Sequence, residues 1–277
     1  MRPTSILSGD ACVPGPRASL DVICESNGKA ETWLGQPFMS SVLPHFARQA
    51  SVHLNGALPA EMEQIVLPAA LDVAIPKRRM QFRAGRYCAM KAMGALGPSH
   101  AGRSVARAAN GAPLWPEGVV GSITHTDDFA SAAAALTADA AALGIDTERI
   151  MTEPRARNVG RMIAWPSEVG HARTAGLSRL EGMTLVFSAK ESIFKCLHGL
   201  VGCYFDFHDV RIVEVDGQER TFVARLVKTL SESFPAHTLL RGTFDVEGAW
   251  MHTGIALPAR GETAVSDESS DPCRASA

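Results

Sequence analysis

The sequence predicts an α+β fold with a strand-rich unit in each half of the chain. Three observations carry this. Two groups of short segments, within 111–150 and 209–256, are β-branched or alternate in polarity, as strands do. Two longer segments, 75–96 and 185–200, repeat their apolar residues at helical spacing. The chain has 277 residues, 46% of them hydrophobic and 20% charged, enough apolar material for a sizeable buried core.

Residues 1–35 are rich in Pro, Gly and Ser and read as a loose leader, and 261–277 read as a poorly ordered tail. Between them, 36–150 and 151–260 form the two halves. A helix is expected from Ile75 to Leu96, starting after Pro76 and stopped by Gly97-Pro98, with Met80, Ala84 or Tyr87, Cys88 and Met93 on its inner face. Val119, Val120 and Ile123 then lead into a polar turn, Thr124 to Asp128. Phe129–Leu136 and Ala141–Ile145 flank Thr137-Ala138-Asp139 as a hairpin, although their alanine content favours helix by propensity alone. Short helices follow at Arg155–Ala164 and Pro166–Ala175. A clearer one runs from Leu185 to Leu200, with Val186, Ile193, Leu197 and Leu200 along one side. Asp209–Val215, Thr221–Leu226, Arg241–Val246 and Trp250–Ala256 complete the strands.

No run approaches the roughly 18 apolar residues a membrane span requires. The six cysteines lack paired spacing, which reads as reduced thiols in a cytoplasmic protein. Cys196, His198, Cys203 and His208 do not have the spacing of a structural zinc site and read as core thiols and loop histidines. Trp115 and Trp165 read as packing residues.

The formal net charge is -2, which hides a local imbalance. From Val73 to Pro116 there is no Asp or Glu, against eight basic residues: Lys77, Arg78, Arg79, Arg83, Arg86, Lys91, Arg103 and Arg107. This segment is either a solvated helix face or an anion site, for nucleic acid or for a polyphosphate cofactor. The opposite sign follows. Asp146 and Glu148 end an apolar strand and, two residues apart, point to one face, where they can converge on a hard cation or simply edge a surface turn beside Arg149. The run Phe187–Lys195 opens a helix with Ser188 as its expected N-cap. Glu191 and Lys195 lie one turn apart there, as an ion pair or as chemistry.

Taken in order, Lys77-Arg78-Arg79-Met80-Gln81-Phe82-Arg83-Ala84-Gly85-Arg86, Gly111-Ala112-Pro113-Leu114-Trp115-Pro116, Gly121-Ser122-Ile123-Thr124-His125, Gly144-Ile145-Asp146-Thr147-Glu148 and Phe187-Ser188-Ala189-Lys190-Glu191-Ser192-Ile193-Phe194-Lys195 form a series. This series resembles the 4'-phosphopantetheinyl transferases, in particular the enterobactin synthase component D branch of the Sfp-type enzymes. The resemblance implies two similar α/β halves in a pseudo-twofold arrangement, with coenzyme A and Mg²⁺ between them. It implies transfer of phosphopantetheine from coenzyme A to a serine of an apo carrier protein of a peptide or polyketide synthetase, in siderophore or other secondary-metabolite synthesis. By position, Arg78, Arg86, Arg107, Thr124 and His125 match residues that grip the phosphates of coenzyme A. Asp146, Glu148 and Glu191 match metal carboxylates, Glu191 also the general base, and Lys190 and Lys195 the lysines facing the reacting phosphates. A monomer is expected, with no nucleic-acid partner. Thr147 departs from the pattern, being polar where related enzymes often carry an apolar residue. The alternatives are a non-catalytic carrier-binding subunit and a nucleic-acid-binding module built on the basic helix 77–91.

The stretch from Arg149 to Leu180 holds six Arg against Glu153 and Glu168. It is expected to border the cleft and to steer an acidic carrier.

Overall fold

The computed structural model describes residues 42–259, so the expected leader and tail lie outside the described residues. Along the chain run β1 (Arg48–His53), α1 (Ala60–Glu63), α2 (Pro76–Gly94), β2 (Ala106–Arg107), β3 (Pro113–Leu114), β4 (Val119–His125), β5 (Phe129–Leu136) and β6 (Ala140–Arg149). There follow α3 (Glu153–Ile163), α4 (Pro166–Thr174), α5 (Arg179–Val201), β7 (Val210–Asp216), β8 (Thr221–Leu226), β9 (Leu239–Glu247) and β10 (Trp250–Pro258). The elements form the expected α+β fold, with antiparallel pairing throughout.

Two sheets organise the molecule. One has the strand order β1-β5-β4, the other β6-β10-β9-β8-β7, and β2 pairs with β3 as a separate ribbon. Helix α2 packs on the first sheet and α5 on the second, at β6 and β10. The strand carrying Asp146 and Glu148, expected to close the first half, is thus hydrogen-bonded into the second sheet. Strand β1 pairs with β5 and was not foreseen.

The alanine-rich β5 is a strand because both of its faces are covered. Ala130, Ala132 and Ala134 face the α2 residues Ala84, Cys88, Ala92 and Met93, while Ala133 and Ala135 meet Leu143 and Ile145. Small side chains let layers approach on both sides, and tertiary packing overrides the helical propensity of alanine. Leu185, Val186, Ala189, Ile193 and Leu197 of α5 are fully buried on the second sheet. Each large one contributes about 1.5–3 kcal/mol.

The expected helix 185–200 is longer than its periodicity suggested. It begins at Arg179 behind a capping box, with Ser178 Oγ accepting from the Glu181 N–H at 3.2 Å and the Glu181 carboxylate accepting from the Ser178 N–H at 2.7 Å. It ends at Gly202 in the left-handed region, φ 65°. Ser188 is therefore mid-helix and buried, not an N-cap. Leu200 is 45% exposed at the frayed end rather than part of the inner side. The polar turn also starts later than expected, since β4 runs through His125 and keeps Thr124 and His125 on a strand.

Where the sheets meet, β4 faces β6 and side chains replace a backbone ladder. Ser122 Oγ accepts from the Ile145 N–H at 3.1 Å and Thr124 Oγ1 from the Thr147 N–H at 3.2 Å. Ser-x-Thr at period two satisfies amides of an otherwise open sheet edge, each bond contributing about 0.5–1.5 kcal/mol.

Candidate active site

The site sits on this seam. Asp146 is 4% exposed and accepts three hydrogen bonds, from Thr124 Oγ1 (3.1 Å), Ser188 Oγ (2.9 Å) and Lys195 Nζ (2.6 Å). Helix α5 can reach β6 because residue 144 is glycine: a Cβ there would collide with the Ser192 carbonyl oxygen and with Cys196. That close approach brings the Lys195 turn of the helix onto the Asp146 strand.

Glu148 pairs with Arg155 at 3.2 Å, and the guanidinium of Arg155 also lies 5.6 Å from the Phe187 ring centroid. Burial, then repulsion from Asp146, raises the Glu148 carboxyl to about 7 against the pull of Arg155 and Lys195. The Glu191 carboxyl is also raised, first by burial and further by Asp146, with Lys195 acting against it. Glu191 has no hydrogen-bond or ion-pair partner among the described residues. The three carboxylates named from the sequence therefore share one electrostatic neighbourhood, with Glu191 unengaged.

The basic residues divide. Lys77 pairs with Asp127 (2.6 Å) and Lys91 with Glu61 (2.8 Å), while Arg83 donates to the Ile65 carbonyl (3.3 Å) and Arg103 to that of Glu117 (3.5 Å). These four serve the fold. Arg78, Arg86 and Arg107 instead crowd one another. Arg86 is 8% exposed, donates to the Ala106 carbonyl at 3.2 Å, and lies over the Phe82 ring at 4.7 Å, yet its Nε–H has no partner. Burial, then Arg107, then Arg78 lower it to about 10. The Arg107 guanidinium lies against Gly111, whose φ of +92° closes the turn between β2 and β3. A guanidinium repelled by two others and carrying an unsatisfied buried N–H offers a place where an anion can be received.

His125 joins the two clusters. Arg78 Nη1 stands 2.7 Å from His125 Nε2, and since a guanidinium only donates, the ring accepts there and carries its proton on Nδ1. Burial, then the charges of Arg78 and Lys195, lower this histidine to about 4 despite Asp146. Neutral at pH 7, it can offer Nδ1–H to a phosphate oxygen. A cationic grip next to a carboxylate cluster can seat a pyrophosphate at one end and a base at the other.

Lys190 is the exception among the predicted site residues. Its side chain is 1% exposed, with Nζ 2.9 Å from Glu168 Oε1 and 2.9 Å from the Ile163 carbonyl oxygen, inside the packing of α3, α4 and α5. Its burial makes a paired carboxylate necessary, and the ammonium is committed to Glu168. Trp165 is 45% exposed, edge-on to His208 at 4.9 Å, while Cys196 is a buried free thiol and Cys203 donates to the Leu230 carbonyl at 3.6 Å. Ser188, Thr253 (its Oγ1 2.9 Å from Ser188 Oγ) and Arg155 adjoin the carboxylates of Asp146 and Glu148 and were missed as such. Serine and threonine inside a buried helix and strand were the available signal, and an arginine seven residues after Glu148 was another.

A helix-on-sheet arrangement that sets clustered guanidiniums beside carboxylates suits a phosphate-handling α+β enzyme. A family model of the 4'-phosphopantetheinyl transferase N-terminal domain matches residues 67–135, and one of the 4'-phosphopantetheinyl transferase superfamily matches residues 142–244. The chain is 38% identical over 200 residues to the 4'-phosphopantetheinyl transferase Svp of Streptomyces mobaraensis, covering 68% of this chain and 76% of the relative. It is 31% identical over 188 residues to PptT of Mycobacterium tuberculosis, covering 66% and 81%. It is 34% identical over 161 residues to enterobactin synthase component D of Escherichia coli, covering 57% and 72%. The chain belongs to the 4'-phosphopantetheinyl transferase superfamily.

Among the described residues, no three His, Cys, Asp or Glu side chains stand close enough together to hold a metal ion. The donor chemistry nevertheless suits a hard divalent cation: the charge of Asp146 acts on both Glu148 and Glu191, opposed by Lys195 at each and by Arg155 at Glu148. No helix among the described residues is long and apolar enough to cross a membrane.

Proposed function

We propose that this chain transfers the 4'-phosphopantetheine group of coenzyme A to a serine hydroxyl of an apo carrier protein. The observation that carries the reading is the junction at His125, where the Arg78–Arg86–Arg107 grip adjoins Asp146, Glu148, Glu191 and Lys195. The guanidiniums and His125 hold the 3'-phosphate and pyrophosphate. Glu191 takes the serine proton, the serine oxygen bonds to the phosphorus that bears pantetheine, and the bond from that phosphorus to the bridging oxygen breaks. Adenosine 3',5'-bisphosphate leaves with the bridging oxygen. Lys195 offsets charge on the transferring group. Mg²⁺ held by Asp146, Glu148 and Glu191 would supply further neutralisation at the pyrophosphate oxygens.

Within this reading the carrier belongs to siderophore or other secondary-metabolite synthesis, which the likeness to enterobactin synthase component D supports. The protein acts as a cytoplasmic monomer, where free thiols at Cys88, Cys196 and Cys203 stay reduced. The test is intact mass of an apo carrier after incubation with the full chain, coenzyme A and Mg²⁺. A gain of one phosphopantetheine is expected, and an unmodified carrier, with peptidyl, aryl and acyl carriers all tried, overturns the reading.

A further inference from the structure

The carboxylate site already contains a cation. Lys195 Nζ stands 2.6 Å from Asp146 Oδ1 and 3.2 Å from the Ile145 carbonyl oxygen. The other donors to Asp146 are neutral hydroxyls, Thr124 on Oδ1 at 3.1 Å and Ser188 on Oδ2 at 2.9 Å. Among the described residues Lys195 is thus the one cation bonded to Asp146, whose carboxylate is almost fully buried. Such a carboxylate needs a counter-charge, and removing it would leave a buried ion uncompensated.

Two features make this counter-ion replaceable. Oδ1 carries both an ammonium and a hydroxyl donor, so its lone pairs are spoken for, whereas a divalent cation must have carboxylate lone pairs. The ammonium sits on a flexible four-carbon stem and keeps 27% of its side-chain exposure, unlike the enclosed Lys190. The helix beneath it is fixed by the close contact at Gly144, so the side chain alone has to move.

We propose that Lys195 is an exchangeable counter-ion that holds Asp146 in the empty enzyme and leaves it when a divalent cation binds, freeing its ammonium for the substrate phosphates. The proposal rests on the transferase reading for the metal and the phosphates. It makes metal and coenzyme A mutually reinforcing ligands: each favours the state in which Lys195 has left Asp146, and linkage requires the coupling to be reciprocal.

The experiment titrates the full chain with Mn²⁺, followed by electron paramagnetic resonance, with and without coenzyme A. Without coenzyme A, Lys195→Met should bind Mn²⁺ on the order of tenfold tighter than the parent, because the competitor is gone. The gain in affinity on adding coenzyme A should shrink in that variant. Lys195→Arg, which keeps the cation, should not tighten. Arg155→Met removes a charge from Glu148 but not from Asp146, and should tighten less than Lys195→Met. Melting curves provide a second readout: metal-free Lys195→Met should melt below the parent and regain more on adding Mn²⁺. The proposal is overturned if Lys195→Met binds Mn²⁺ no tighter than the parent, or if Arg155→Met tightens as much. Asp146→Asn separates the two readings. Parent-like Mn²⁺ binding by Asp146→Asn sinks the metal assignment itself, whereas lost binding there with no tightening in Lys195→Met sinks only the exchange.

Discussion

Lys190 and Glu168 form an ion pair with essentially no solvent exposure, the ammonium lying 2.9 Å from Oε1 and 3.0 Å from Oε2. Glu168 also accepts from the Trp165 N–H at 2.6 Å, capping α4, and from the Ile212 N–H at 2.7 Å in β7. One carboxylate therefore ties α4, α5 and the second sheet together one residue before Glu191. Lys190→Met leaves Glu168 charged and unpaired, and should cost about 3–5 kcal/mol in urea unfolding. Pairing it with Glu168→Gln removes the stranded charge and should recover part of that loss. The folded double variant should keep the parent KM for coenzyme A. A raised KM would return Lys190 to the substrate.

Glu191 is the unengaged carboxylate of the site, and its raised pKa strengthens it as a base. Glu191→Gln preserves size but cannot take the serine proton. It should lose at least about 10²-fold in kcat, the usual contribution of a positioned base. Coenzyme A affinity, measured at saturating Mg²⁺, should stay within a few fold of the parent. An unchanged kcat would remove Glu191 from the mechanism.

The motifs that were legible in the sequence are those whose parts lie close along the chain. Asp146 and Glu148 share a strand, and Glu191 and Lys195 share a helix face, so spacing put each pair on one face while the ordered series of motifs suggested their roles. The setting of Lys190 was not legible, because its partner Glu168 lies 22 residues earlier on another helix. The acid-free stretch marked a local excess of basic residues but could not sort them. Lys77, Lys91, Arg83 and Arg103 are claimed by groups that only the fold brings near. Alanine in β5 carried a helical signal that burial on two faces overrode. Ser188 shows the same limit, since a serine looks like a cap until its neighbour across the seam, Asp146, is known.

His252 ties β10 to β6. Its Nδ1 stands 3.0 Å from Thr147 Oγ1, on the residue between Asp146 and Glu148, and its Nε2 has no partner. Burial lowers it to about 4 from 6.5, only partly countered by Asp146. The unfolded chain then binds the extra proton first, so this histidine's contribution to stability is lost as pH falls from about 6.5 towards 4. His125, also lowered to about 4, acts in the same direction. Glu148, raised to about 7 from 4.5, and Glu191 act oppositely, because their folded forms hold protons longer. A difference measurement isolates the term. Relative to the parent, His252→Gln should flatten the acid-side slope of unfolding free energy by up to about 1.4 kcal/mol per pH unit between pH 6 and 5. Parallel slopes would show that His252 does not stay neutral in the folded state.

The basic stretch 149–180 is more selective in space than in sequence. Arg149 pairs with Asp128, Arg155 with Glu148 and Arg179 with Glu153, and Glu168 is buried, so its charge does not reach the surface. Arg157, Arg161 and Arg173 remain exposed and without an ion pair among the described residues, the first two one turn apart on α3. Met162 (70% exposed) and Trp165 (45%) lie beside that α3 pair in sequence, giving a basic rim with apolar neighbours. If an acidic carrier docks here, these charges act mainly on association and are screened over a Debye length of about 10 Å at 0.1 M salt. Reversing the α3 pair in Arg157→Glu/Arg161→Glu should raise the KM for carrier on the order of tenfold at low salt. The KM for coenzyme A should hold near the parent value, since neither residue is among the clustered Arg78, Arg86 and Arg107. The steep loss of carrier affinity with rising salt should flatten as well. Parent-like values in all three measurements would place docking on another face of the enzyme.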